Sequence, residues 1–258
     1  YTLSLHDALP ISAARKGEGF SDTEEINVAF QLAAVALLLA LPALPDVVHC
    51  HDAHCALVPA MLEKALGGNV GKPACLLTIH NAGPGYHQKM RDIGRVSAMT
   101  GLGEDKLRAA WIGDGVDPFA LASADAMLAT VSENYANELM DPEFDAFSDG
   151  LSSYLHARGI RVKGITNGID PDHYDPRDGI GSHDVVGFHP GEVDSSGKLA
   201  WKRRLLEKAA SGAWEGIEFF GNLERDETLP LFTFHGRVTE QKGIAVLAEA
   251  IRLLVASR

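Results

Sequence analysis

The sequence predicts an α/β fold built on a parallel, Rossmann-like sheet, and three observations carry that prediction. Short apolar runs rich in β-branched residues recur along the chain, stretches with helical periodicity separate them, and the runs end in polar or glycine-bearing residues. Strands alternating with helices need crossover connections and therefore pair in parallel. In such sheets ligands bind beyond the carboxyl ends of the strands.

Residues 24–39 are predicted helical and contain most of the longest apolar run, 33–41, which Pro42 and Pro45 close. That run is far short of the about 20 residues needed to span a bilayer, so a buried helix is expected. Strands follow at 46–49, 74–80, 126–132, 162–167 and 231–235, with helices at 54–66, 133–140, 198–209 and 243–255. The last helix places Ile244, Leu247, Ile251 and Leu254 on one face. Residues 178–197 have several glycines and little periodicity and read as a loop or interdomain excursion.

With 258 residues, 46% of them hydrophobic and 22% charged, the composition is that of an ordinary soluble domain or pair of domains. A net charge of -12 argues against nucleic acid and against an anionic membrane as partners, since either would be repelled. A nucleotide sugar remains open, because a small local cluster of cations can meet its few charges. Three cysteines, Cys50, Cys55 and Cys75, form no disulfide framework, which points to a reducing, cytoplasmic setting. Residues 1–12 have no basic n-region or apolar core, so they are not a signal peptide. They look like translated adapter or cloning sequence and are set aside.

The polar residues at the strand ends are His49-Cys50-His51-Asp52, His80-Asn81, Asn167-Gly168 and His235-Gly236-Arg237. The first cluster, extended to His54 and Cys55, contains zinc-ligand types. Its order, His-x-His-Asp-x-His, sets the carboxylate one place earlier than the binuclear metallohydrolase pattern, and no further ligand set follows. A zinc hydrolase and a strand end with a satisfied core histidine both stay open at this point. Arg237 and Lys242 sit between a strand and the helix beginning near Gly243. Two cations there suit a diphosphate, the guanidinium as a planar fork and the ammonium as a mobile charge. The alternative is a solvated pair flanking a helix start.

Five segments in order resemble the bacterial glycogen synthase and starch synthase family of retaining glycosyltransferases. Pro45-Asp46-Val47-Val48-His49-Cys50-His51-Asp52-Ala53-His54 is similar to its "PD-V-H-HDWH", and Thr78-Ile79-His80-Asn81 to its "TVHN". Thr130-Val131-Ser132 with Tyr135-Ala136 and Glu138 resembles "TVS-YA-E". Residues 164–170 resemble "GI-NGID", and 236–243 resemble "SRLT-QKG". The resemblance covers nearly everything after Ser12, loosely over 88–125 and 179–230.

The resemblance implies a GT-B arrangement of two Rossmann-like domains, here 13–168 on the acceptor side and the start of a nucleotide-sugar-binding domain in 169–258. It implies transfer of glucose from a nucleotide-glucose, ADP-glucose in bacteria, to an α-1,4-glucan acceptor, with retention and without metal or other cofactor. Carried over, Arg237 and Lys242 contact the donor phosphates, His80 lies by the glucosyl ring, and His51 and Asp52 line the acceptor side. Asn81, Asn167, Gly168, Gly236 and Gly243 complete the binding set, Asn167 where the domains meet. The departures are Ala53 in place of the motif's Trp, residues 82–88 in place of Leu-Ala-Tyr-Gln-Gly, and the missing Lys-x-Gly-Gly-Leu loop and carboxy-terminal glutamate pair. They imply an internal fragment, inactive alone, with Phe232, Phe234 and Leu247 partly exposed. Another retaining GT-B sugar transferase and a catalytically silent carbohydrate-binding relative remain as alternatives.

Overall fold

The computed structural model describes residues 22–67, 71–178, 187–189, 196–212, 218, 221, 225–236 and 242–256. The chain forms two compact units, Tyr1–Gly168 and Ile169–Arg258.

In the first unit, α1 (Thr23–Ala40) leads to β1 (Val47–His51), a 3-10 turn at Ala53–Cys55, α2 (Val58–Leu66) and β2 (Ala74–Ile79). Next come α3 (Ile93–Thr100), α4 (Glu104–Ala109), β3 (Trp111–Ile112), β4 (Gly115–Val116) and α5 (Pro118–Ala122). The unit closes with β5 (Met127–Thr130), α6 (Glu133–Leu139), a 3-10 turn at Pro142–Phe147, α7 (Leu151–Ala157) and β6 (Val162–Gly164). The main sheet has the order β1-β2-β5-β6 and every pairing in it is parallel, as the alternation of strands and helices predicts. Its core draws on Leu77 and Ile79 of β2, Leu128 of β5, Leu57, Met61 and Leu62 of the α2 region, and Phe119, Leu121 and Leu151.

Local chemistry sets the element ends. The carboxylate of Asp117 accepts from the N–H groups of Phe119 and Ala120, with Pro118 at the start of α5. Ser132 caps α6 through the N–H of Tyr135, and Asp92 caps α3 through Arg95. Gly67, at φ +61, stops α2 by returning its N–H to the carbonyl of Glu63.

Three differences from the sequence reading have physical causes. Within 88–125 lie α3, α4, α5 and the antiparallel pair β3–β4, none of them foreseen, because helices of 8, 6 and 5 residues are too short to show a period. The helix expected to be buried, α1, is buried only along Val28, Gln31 and Val35, and leaves Leu37 52% and Leu39 45% exposed. It is the one helix among the described residues long and apolar enough to cross a membrane by length and composition. The predicted strand at 231–235 forms no strand: its backbone pairs with no partner strand among the described residues. Phe232 is 78% exposed and Phe234 39%, and Leu247 is half-buried.

The second unit contains a 3-10 turn at Pro176–Asp178, α8 (Ser196–Ser211) and α9 (Ile244–Ala256). Most of the 178–197 excursion lies outside the described residues, α8 taking its last two positions.

Candidate functional site

The carboxyl ends of β1 and β2 bring four of the sequence-predicted site residues together: His51, Asp52, His80 and Asn81. Parallel pairing sets His51 opposite Thr78, so the residues just beyond each strand, Asp52 and His80, emerge side by side. The backbone N–H of Asp52 donates to the carbonyl of Thr78 at 3.0 Å, extending the ladder by one bond. Its side chain then crosses over: Oδ1 of Asp52 accepts the backbone N–H of His80 at 2.8 Å. One carboxylate therefore ties the two strand ends together.

Asp52 does this from an uncommon conformation, φ 58 and ψ -177, a region almost reserved for glycine. Such a residue costs about 1–3 kcal/mol and persists only where its surroundings over-determine it. The turn it makes throws the chain directly into the 3-10 segment, with the carbonyl of Asp52 accepting from Cys55 at 3.2 Å.

Three imidazoles cover this corner. Nδ1 of His51 lies 2.9 Å from Nε2 of His80, and Nε2 of His49 lies 2.8 Å from the hydroxyl of Thr78. The rings of His49 and His51 stand 4.2 Å apart, centroid to centroid, and those of His51 and His80 5.2 Å. All three are exposed. Partial burial, followed by the positive charge that His49 and His80 carry when protonated, lowers the His51 pKa, with Asp52 acting weakly the other way. Among the described residues no group of three His, Cys, Asp or Glu side chains is placed to hold a metal ion, so the zinc alternative finds no ligand set there. Burial, and then the neighbouring Cys55 and Cys75, pushes the Cys50 thiol up to about 12, which makes it a core residue with no thiolate chemistry at neutral pH.

The loop after β2 is braced from below. Oδ1 of Asn81 accepts the N–H of Gly83 at 2.7 Å, so its side chain shapes its own turn. The hydroxyl of Tyr135, on α6, accepts the N–H of Ala82 at 2.8 Å. His87, 1% exposed, reaches Oδ2 of Asp117 through Nδ1 at 2.5 Å and the carbonyl of Ala82 through Nε2 at 2.7 Å. Both ring nitrogens face acceptors, so both carry protons and the ring is an imidazolium paired with a buried carboxylate. Burial pulls the His87 pKa down, but the bond and charge of Asp117 and the Ala82 carbonyl outweigh it and leave the pKa raised. Sequence reasoning placed Tyr135 in a resembled motif, three residues after the capping serine, but gave it no role. The pairing of His87 with Asp117, 30 residues apart, it missed, since nothing local signals it.

Asn167 and Gly168 lie exposed beyond β6, Gly168 ending the first unit. In the second unit Lys242 is exposed just before α9, and Gly236 and Gly243 have φ +148 and +66. Positive φ at both explains the choice of glycine at these two positions. Arg237 lies outside the described residues.

Comparisons with known proteins agree on one family. The profile described as the starch synthase catalytic domain matches residues 11–168. Glycogen synthase 1 of Geobacter sulfurreducens is 34% identical over 244 residues, 92% of this chain and 44% of that protein. Glycogen synthase of Roseobacter denitrificans is 33% identical over 220 residues, 82% of this chain and 40% of that protein. Among solved structures, the catalytic domain of starch synthase IV from Arabidopsis thaliana, bound to ADP and acarbose, superposes with a TM-score of 0.58 at 26% identity. That superposition covers 75% of this chain and 38% of the other. The chain thus spans less than half the length of these relatives.

Proposed function

The chain belongs to the family of starch synthase catalytic domains, and on that premise we propose that it is part of a glucosyltransferase that extends an α-1,4-glucan from ADP-glucose with retention of configuration. The observation that carries the proposal is the corner at the ends of β1 and β2, where Asp52 holds the backbone of His80 and His51 holds its ring. A polar corner fixed by its own hydrogen bonds lies at the carboxyl edge of a parallel sheet, where ligands are bound in this architecture. The ADP bound in the Arabidopsis starch synthase IV structure supports the choice of donor.

In this reading the bond from the glucosyl C1 to the diphosphate oxygen breaks while a bond from C1 to the acceptor hydroxyl oxygen forms on the same face. The acceptor proton leaves with the diphosphate, so no protein base is needed. Arg237 and Lys242 hold the diphosphate and stabilise the negative charge that grows on it. His80 lies by the glucosyl ring, and Asp52, His51 and Asn81 form the acceptor-side wall. Asn167 and Gly168 lie at the passage between the domains, while Gly236 and Gly243 let the backbone of the second domain approach the phosphates. No cofactor enters the reaction. The 258 residues alone are inactive in this reading, because they span under half of each relative.

The test is glucose incorporation into glycogen by the protein encoded by the length-complete gene, with ADP-glucose and UDP-glucose in competition and the new linkage assigned by its anomeric NMR coupling. Lys242→Ala is expected to lower kcat by about 10²–10³, the size of one lost charge-stabilising donor. Glucan binding without release of ADP would instead favour the silent relative, and preference for another sugar nucleotide a different transferase.

A further inference from the structure

Beside Ala53 the first unit contains a hollow of about 200 Å³ between α1, the 3-10 turn, the 88–90 segment and the start of α5. A water molecule occupies about 30 Å³ of liquid, so the space takes roughly six waters or one six-membered sugar ring. Its floor is apolar: Ala53, Val28, Leu57 and Met90 are each no more than 2% exposed. Two amides form its rim. Nδ2 of Asn27 donates to Oε1 of Gln88 at 3.2 Å, which leaves Oδ1 of Asn27 as an acceptor and Nε2 of Gln88 as a donor.

The charges around the hollow select a neutral occupant. The Lys89 ammonium is engaged by the carboxylate of Asp149 at 2.9 Å and its carbonyl at 2.8 Å, and Glu24 lines the hollow with a carboxylate that disfavours anions. A shallow apolar floor beneath a paired acceptor and donor is how a site meets the C–H face and the hydroxyls of a pyranose. The hollow also abuts the strand-end corner, because Ala53 directly follows Asp52. Where the resembled motif has an indole, this chain has one methyl group, and the hollow lies against it.

We propose that this hollow is a binding subsite for one neutral, hydroxyl-rich six-membered ring, a glucosyl unit of the glucan. Only the choice of a glucosyl unit over another polyol rests on the function proposed above. The test titrates the full 258-residue chain with maltose, and separately with inositol, following the side-chain amide NMR signals of Asn27 and Gln88 and the ring signals of His80. Maltose is expected to shift the two amides saturably. Ala53→Trp, which fills the hollow, is expected to abolish that shift, and Asn27→Ala to weaken binding about tenfold, the loss of one good hydrogen bond.

If Ala53→Trp disturbs the fold, as read by circular dichroism, Asn27→Ala alone decides. Amides that stay unmoved at saturation, or an Asn27→Ala chain that titrates like the parent, overturn the subsite. Maltose shifting only His80, equally in Ala53→Trp, overturns the subsite and leaves the transferase reading standing. Amide shifts that inositol reproduces in full, with His80 unmoved, uphold the hollow as a polyol site and count against the glucan reading.

Discussion

The imidazoles of His51 and His80 are joined Nδ1 to Nε2 across 2.9 Å, so one of these two nitrogens carries a proton and the other accepts it. Protonating both rings puts a proton on each of the facing nitrogens, which breaks the bond and sets two cations side by side. The groups facing His51 are His49, His80 and Asp52, and partial burial with the two imidazoles keeps its pKa below the ordinary 6.5. The folded state therefore takes up this proton later than the unfolded chain. The stabilisation is present above pH 6.5 and is lost as pH falls from there through the lower folded value. Thermal unfolding followed from pH 7.5 to 5 is expected to show a falling midpoint on the acid side, and His51→Asn to flatten that slope.

His87 has the opposite sign. Its folded pKa is raised above 6.5, so the contribution is complete below that pH and disappears as pH rises through the folded value. The same unfolding series extended to pH 9 is expected to show a second decline, absent in His87→Gln. Removing the ring altogether leaves Asp117 buried without its cation, so His87→Ala is expected to cost about 3–5 kcal/mol in denaturant unfolding.

Gln31 is a polar residue on the buried face of α1, 1% exposed, and it is structural. Its Oε1 accepts the N–H of Leu57 at 2.7 Å, a group at the start of α2 that the helix itself does not satisfy, and its Nε2 donates to the carbonyl of Asn27. Gln31→Leu keeps the volume but orphans that N–H. The expected loss is about 1–3 kcal/mol, measured by urea unfolding.

Gly164, at the end of β6, passes so close to the start of α6 that an added Cβ would lie 2.4 Å from the Cα of Glu133 and 2.6 Å from the carbonyl oxygen of Ser132. Both are backbone atoms, so nothing can rotate away. Gly164→Ala is expected to destabilise the first unit by about 1–3 kcal/mol and to lower its yield of folded protein.

The sheet was legible because its strands announce themselves locally. Residues 74–80 and 162–167 are short β-branched runs bounded by turn residues, and β2 and β6 form within them. The corner was half legible for a related reason: His51-Asp52 and His80-Asn81 each stand at a strand end, so a parallel register alone brings them together. What stayed hidden depends on partners distant in sequence. The Asp117 that charges His87, the Tyr135 that holds Ala82, and the amide pair of Asn27 and Gln88, 61 residues apart, leave no trace in periodicity. The 231–235 run shows the converse error, since a β-branched or aromatic sequence pairs as a strand only where a neighbouring backbone offers itself.

The left-handed twist of Asp52 has a consequence for how this position tolerates change. Folding alone would prefer glycine there, since Asp52→Gly relieves the torsion, whereas the contact to the His80 amide is retained only by a short carboxylate or amide side chain. The two demands pull a drifting sequence in opposite directions. A glycine found here in a related chain would mark a lineage in which the corner no longer has anything to hold, and an aspartate or asparagine one in which it still does.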